Sequence, residues 1–241
     1  MQSCLLQYYG AFGRAETLSY GKLWQQEDEN NNNIIERAKH LLEGWRSANR
    51  KQQRLQQNDN TAAATNTSAT QSVLRGIDVI RWQKPRLGRM KCNVDASFSA
   101  STNRFGIGMC IRDDEGQFVL AKTMWFTPMC SVDEGEALGL YHAMRWINDL
   151  QLPNVDFEVD SKRVADYFNR GNGDITEFGV IMDINIRFSS SHLTNSRVEF
   201  IRRQANVVAH ELAQVATSSS SFRTYIEIPD CINNLIANEM L

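Results

Sequence analysis

Three acidic residues stand where a purely structural protein would place apolar ones. Asp95 interrupts MKCNVDASFS, Glu136 lies beside Ala137 and Leu138 in SVDEGEALGLYHAMRWINDL, and Asp160 closes VDFEVD after Phe157 and Val159. An isolated charge turned toward a core is costly. Several carboxylates brought together repel one another unless some take up protons. A divalent cation removes that penalty, and magnesium takes oxygen ligands while keeping waters that phosphate oxygens can replace. Two such ions about 4 Å apart can activate a water and stabilise the leaving oxygen of a phosphodiester. Each acid alone has a plainer reading as a cap or a partner of a helix dipole. The set of three makes metal-assisted hydrolysis the sharper expectation.

The elements that must position these acids can be read from periodicity. MKCNVDASFS alternates as a strand, and FGIGMCIRD and QFVLAKTMWF read as two more joined across DDEG. A helix follows, with Ser131 as N-cap and Glu134 three residues on, a capping-box pattern. VDFEVD is a short strand, SKRVADYFN a helix ending at Gly171, and a further helix spans about 176–190 before the strand RVEFIRR. The closing helix, NVVAHELAQVA, begins with Asn206 as a good N-cap. The order β-β-β-α-β-α-α-β-α predicts an α/β fold, a mixed five-stranded sheet flanked by helices.

Composition divides the remainder. Residues 1–33 read as a poorly ordered segment ending in QQEDENNNN, and residues 34–57 as an amphipathic helix basic at its C-terminal part (Arg46, Arg50, Lys51, Arg54). Packing of that helix on the domain or on a protein partner is the expectation over nucleic-acid contact. Residues 58–74 lack the apolar side chains that could repay ordering and read as a flexible linker. One domain is expected over 88–217, and the tail 218–241 ends in CINNLIANEML, which either docks or frays.

The chain has 241 residues, 42% hydrophobic and 22% charged, with a formal net charge of −2, so it is no general electrostatic binder of nucleic acid. No run of about 18 apolar residues marks a membrane span. Five scattered cysteines, none spaced CxxC, argue against a disulfide framework or zinc site and for a reducing compartment, nuclear or cytoplasmic. The acid-poor start is compatible with a weak transit peptide, the lesser reading.

Four ordered pieces, NVDASFS, EGEALGLYHAM, FEVDSKRVADYF and RRQANVVAHELAQVA, then carry a resemblance. Residues 88–217 resemble a type-1 ribonuclease H domain of the divergent kind associated with plant non-LTR retroelements. The resemblance implies the ribonuclease H-like fold, with Asp95, Glu136 and Asp160 as catalytic ligands of two Mg²⁺ ions, or Mn²⁺, and Asp95 bridging both. It also implies a fourth catalytic and metal-binding position, where this chain has His210 in place of the family's Asp. Neutral imidazole is a poorer partner for Mg²⁺ than carboxylate, and proton transfer is the other role open to it.

The activity so implied is endonucleolytic hydrolysis of the RNA strand of RNA–DNA hybrids. The alternative is a catalytically weak or inactive module of retroelement origin that binds nucleic acid or protein. A hybrid is recognised by shape, phosphates and 2′-hydroxyls, for which Ser97, Ser99, Asn103, Asn169, Arg202 and Arg203 are candidates. No basic insertion lies between Asp160 and His210, so binding is expected to be weak and salt-sensitive. Ser161 reads as a cap, His142 as a packing residue, and Glu211 as turned about 100° away from His210. No Y-x-D-D polymerase motif is present.

Overall fold

Strand β1, Met90–Ser99, sets the plan because both of its faces are covered. Met90, Cys92 and Val94 enter the larger apolar core, while Asn93 and Asp95 on the alternate face meet the helix that closes the domain. The computed structural model describes residues 81–171 and 173–239, together with Gly44. The 1–33 segment and the 58–74 linker lie outside the described residues. So does the 34–57 helix except for Gly44, which is helical.

Around β1 the chain builds one sheet in the order β5-β4-β1-β2-β3-β6, in which β6 is the short strand Arg223–Tyr225. β2 (Arg104–Arg112) and β3 (Phe118–Phe126) follow as antiparallel hairpin partners, and β4 (Val155–Val159) and β5 (Arg197–Phe200) add in parallel on the other side. Three helices, α1 (Val132–Asp149), α2 (Lys162–Arg170) and α3 (Glu177–His192), cover one face. They share its core with Phe105, Ile107, Met109 and Phe157, each fully buried. Burying one such side chain contributes about 1.5–3 kcal/mol relative to exposure. The capping box of α1 forms as expected, Ser131 Oγ accepting from Glu134 N and the Glu134 carboxylate from Ser131 N.

The opposite face carries α4 (Val207–Ser218) and α5 (Asp230–Glu239). The tail therefore docks: Arg223–Tyr225 pairs with β3 as a sixth strand, and Ile232 and Ile236 are buried with Cys110, Ala121, Val208 and Leu212. The sheet thus has six strands rather than five.

Helix α4 lies unusually close to β2. A Cβ on Gly106 would stand 2.8 Å from Ala216 Cβ, and one on Gly108 would stand 2.7 Å from Leu212 Cβ and overlap the backbone at Ala209 and Ala213. Only bare backbone admits the helix at this depth.

Candidate active site

Register brings the acids together. Asp95 sits opposite Gly108 in the β1–β2 pair, and Val94 opposite Val159 in the parallel β1–β4 pair. The next residues, Asp95 and Asp160, therefore leave neighbouring parallel strands side by side. Glu136 comes from the second turn of α1, just after the capping box, and its carboxylate accepts from the backbone N–H of Ala96. Carboxylate oxygens of Asp95, Glu136 and Asp160 all lie within 4.8 Å of one another, the only such group among the described residues. Asp95 is 3% exposed and Glu136 9%.

The electrostatics follow from that crowding. Burial, then the charge of Asp160, push Asp95 up to about 6, against the hydrogen bond from His210, which pulls it down. Burial, then Asp95 and Asp160, push Glu136 well above the usual carboxylate range, opposed by Ala96 N–H and Arg203. The donor set fits hard divalent cations, since three carboxylate oxygen donors face one another.

Position 210 behaves differently from the fourth ligand expected there. His210 Nδ1 stands 2.6 Å from Asp95 Oδ2, and the ring is not part of the metal-sized carboxylate group. Gln214 Nε2 lies 2.8 Å from His210 Nε2, and Arg203 Nη2 lies 2.9 Å from Nε2 and 3.2 Å from Nδ1.

Asn206 does begin α4, but its side chain makes no cap hydrogen bond. Its Nδ2 donates to Val94 O (2.9 Å) and its Oδ1 accepts from Asn93 Nδ2 (3.1 Å), so it pins the start of α4 to the residues preceding Asp95. The sheet's carbonyl and amide, offered 112 and 113 positions away in sequence, outcompete the local N–H groups.

The nucleic-acid candidates separate. Ser97 and Ser99 lie partly exposed at the end of β1, with Ser99 Oγ 3.1 Å from Ser101 Oγ. Asn103, at φ 50°, holds the 127–129 loop by accepting from Thr127 Oγ1 and Met129 N. Asn169 donates to Ala165 O and Val198 O, a tie between α2 and β5. Arg203 turns onto His210, while Arg202 is exposed. Ser161 caps α2, accepting from Val164 N. His142 is half-buried and stacks on Phe126 (4.8 Å between ring centroids), and desolvation of its ring lowers it to about 3, as a packing residue.

Gly108, Asn206 and Gln214 were not singled out for the site by sequence. Alternating glycines in a strand signal close backbone approach, and a residue four after His210 shares its helix face.

Comparison with known proteins gives a consistent set of matches. The sequence model of the family described as reverse transcriptase-like matches residues 93–216. A curated Arabidopsis thaliana protein, provisionally named a ribonuclease H, is 25% identical over 167 residues, 68% of this chain. The match spans 26% of that relative's length. Among solved structures, ribonuclease H1 from Halobacterium salinarum matches with a TM-score of 0.48 and 16% identity, covering 54% of this chain and 97% of that one. LC11 ribonuclease H1 in complex with an RNA/DNA hybrid matches with the same TM-score and identity, over 54% of this chain and 96% of that one.

Proposed function

The chain belongs to the reverse transcriptase-like family, ribonuclease H-like in kind, and from that premise we propose that it hydrolyses the RNA strand of RNA–DNA hybrids endonucleolytically. One observation carries the reading: three carboxylates from β1, α1 and the end of β4, two of them buried, converge within 4.8 Å. Asp95, Glu136 and Asp160 would hold two Mg²⁺ ions, with Mn²⁺ as a substitute. Bound there, the ions would supply an activated water and charge stabilisation at the leaving oxygen.

The chain's own residues have three tasks. The backbone N–H of Ala96 orients Glu136, the β1–β4 register fixes Asp95 beside Asp160, and His210 engages Asp95. Ser97 and Ser99, beyond Asp95 on the same strand, offer hydroxyls to a sugar–phosphate backbone. Many of the domain's cations are already paired, Arg89 with Asp156, Lys91 with Glu158, Arg112 with Glu239 and Arg163 with Asp133. Grip on the hybrid is therefore weak and salt-dependent.

A second reading, a module that binds hybrids without cleaving them efficiently, is favoured by the imidazole at position 210, which leaves the group without a fourth carboxylate. One assay separates the two. A labelled hybrid is incubated with the full chain and either ion, beside Asp95→Asn. Ion-dependent cleavage that the variant lacks supports the nuclease, and binding without cleavage under both ions supports the second reading. Equal product from variant and parent overturns the site.

No described helix is long and apolar enough to cross a membrane.

A further inference from the structure

His210 is held at both ring nitrogens. Asp95 is the informative neighbour, because an ionised carboxylate has acceptors only and cannot donate a hydrogen bond. Its Oδ2 stands 2.6 Å from Nδ1, a charge-assisted donor distance, so Nδ1 carries the ring proton. Nε2 of the neutral ring then presents its lone pair to the Gln214 amide, 2.8 Å away, whose NH₂ group donates. Arg203 Nη2 lies over the ring, 2.9 Å from Nε2 and 3.2 Å from Nδ1, and does not choose between them.

The alternative, in which His210 and Asp95 ligate one ion together, fits less well. Two ligand atoms about 2.1 Å from an octahedral ion stand about 3 Å apart. The observed pair is closer, and it is joined by the hydrogen bond itself. His210 also lies outside the group formed by the three carboxylates. Depth is set from below by Gly108, which lets α4 descend opposite Asp95, and by Asn206, which ties the start of the helix to Val94 and Asn93.

Resting on the ribonuclease reading above, we infer that His210 is a positioning residue rather than a metal ligand: it donates from Nδ1 to Asp95, and Gln214 at Nε2 supports the tautomer that does so. One oxygen of Asp95 is thereby committed to the protein and the other is aimed toward Glu136 and Asp160. The carboxylate becomes a directed ligand instead of a freely rotating one. The cation requirement then rests on three carboxylates, and the histidine sets how well they are arranged.

Two measurements on the full chain test this. The first needs no ion. In a two-bond proton–nitrogen spectrum of ¹⁵N-labelled protein at neutral pH, the His210 ring is expected as the Nδ1–H tautomer, and an Nε2–H ring overturns the inference. The second uses Mn²⁺ and pulsed electron resonance. No coupling from a directly bound imidazole nitrogen is expected, and a strong coupling that vanishes in His210→Asn overturns it. Asn can donate from nearly the same place, so His210→Asn is expected to keep Mn²⁺ affinity within about threefold, while His210→Ala weakens it about tenfold or more, as for loss of a hydrogen bond to a charged group. Equal affinity in Asn and Ala variants contradicts the positioning role. If Asp95→Asn leaves Mn²⁺ uptake unchanged, the carboxylate reading falls together with the ion-dependent half of this inference, and the tautomer spectrum alone decides the other half.

Discussion

Two regions of one sheet face use the same strands to opposite ends. In the lower half, the buried Glu158 and Arg112 each have a counter-charge and further hydrogen bonds. Glu158 of β4 accepts from Lys91 (2.6 Å), Trp82 Nε1 (2.7 Å) and Asn93 Nδ2 (2.9 Å). Arg112 pairs with Glu239, donates to Asn93 Oδ1 and lies over the Trp82 ring. Two residues further along the same strands, Asp95 and Asp160 face Glu136, and among the described residues no Lys or Arg makes an ion pair with any of the three. Burial is similar, 2% for Glu158 and 3% for Asp95, so exposure alone does not separate structural acids from functional ones. The presence or lack of a Lys or Arg counter-charge in an ion pair does.

Neutralising one member of the upper group should give the largest effect on activity with none on folding. Asp95→Asn is expected to lower hybrid cleavage at least about a thousandfold, about 4 kcal/mol in the barrier. In urea without added ions it should be as stable as the parent or more so at neutral pH. A destabilised variant would put Asp95 in the structural class.

Below, the signs reverse. Arg112→Ala strips Glu239 of its ion pair and Asn93 of a donor in a buried setting, an expected loss of about 3 kcal/mol or more in urea unfolding. Activity per folded molecule should stay within severalfold.

The pH response sharpens the contrast. Asp95 titrates near 6 in the folded chain against an ordinary value of 3.8, so between those values the native state holds a proton that the unfolded chain has lost. Without ions, this group's contribution to stability is full below about pH 4, declines as pH rises toward 6 and is lost above it. Mn²⁺ binding only to the native state should restore about 2–3 kcal/mol at saturating concentration. The thermal midpoint should rise with Mn²⁺ at pH 7.5 and hardly at all at pH 5, where protons already occupy the site. A rise at pH 7.5 that survives in the Asp95→Asn, Glu136→Gln double variant would place the ion elsewhere.

Legibility in the sequence followed the range of the interactions. β1 could be read to its ends because alternation is local, and α1 because Ser131 and Glu134 are three residues apart. The three acids stood out because each broke a local apolar pattern. The sixth strand could not be read. Arg223–Tyr225 has only three residues and owes its conformation to β3 and to Ile232 and Ile236 packing beneath it. Nor could periodicity decide which of two adjacent arginines meets His210, since a single 3₁₀ turn at Arg203–Ala205 makes the choice. Asn206 looked like a cap and became a strap to Val94, because long-range partners were better placed than local ones.

Gly108 joins the two regions, lying opposite Asp95 and beneath α4. Gly108→Ala must displace Ala209, Leu212 or Ala213, two of the contacts being backbone, and overpacking of this kind costs about 1–3 kcal/mol. Raising α4 also moves His210 away from Asp95, so weakened Mn²⁺ affinity should accompany the lost stability. Loss of stability with unchanged affinity would detach the helix depth from the site.

The smallest effect is expected where charges pair in the open. Arg163, three residues after Asp160, pairs with Asp133, three before Glu136, and so links the first turns of the two helices flanking the carboxylates. Its position invites a functional reading. Yet the two side chains are 51% and 41% exposed, and solvent screens such pairs while both lose side-chain freedom. A double-mutant cycle of Arg163→Gln and Asp133→Asn should therefore give a coupling of about 0.5 kcal/mol in stability, falling further in salt. Because Glu136 is already oriented by Ala96 N–H and Asp160 by the β1–β4 register, Mn²⁺ affinity should change less than about twofold in either variant, within that small coupling. A tenfold change would mean that a solvent-exposed pair can set the spacing of buried ligands, and the division between partnered and unpartnered acids would have to include the surface that joins them.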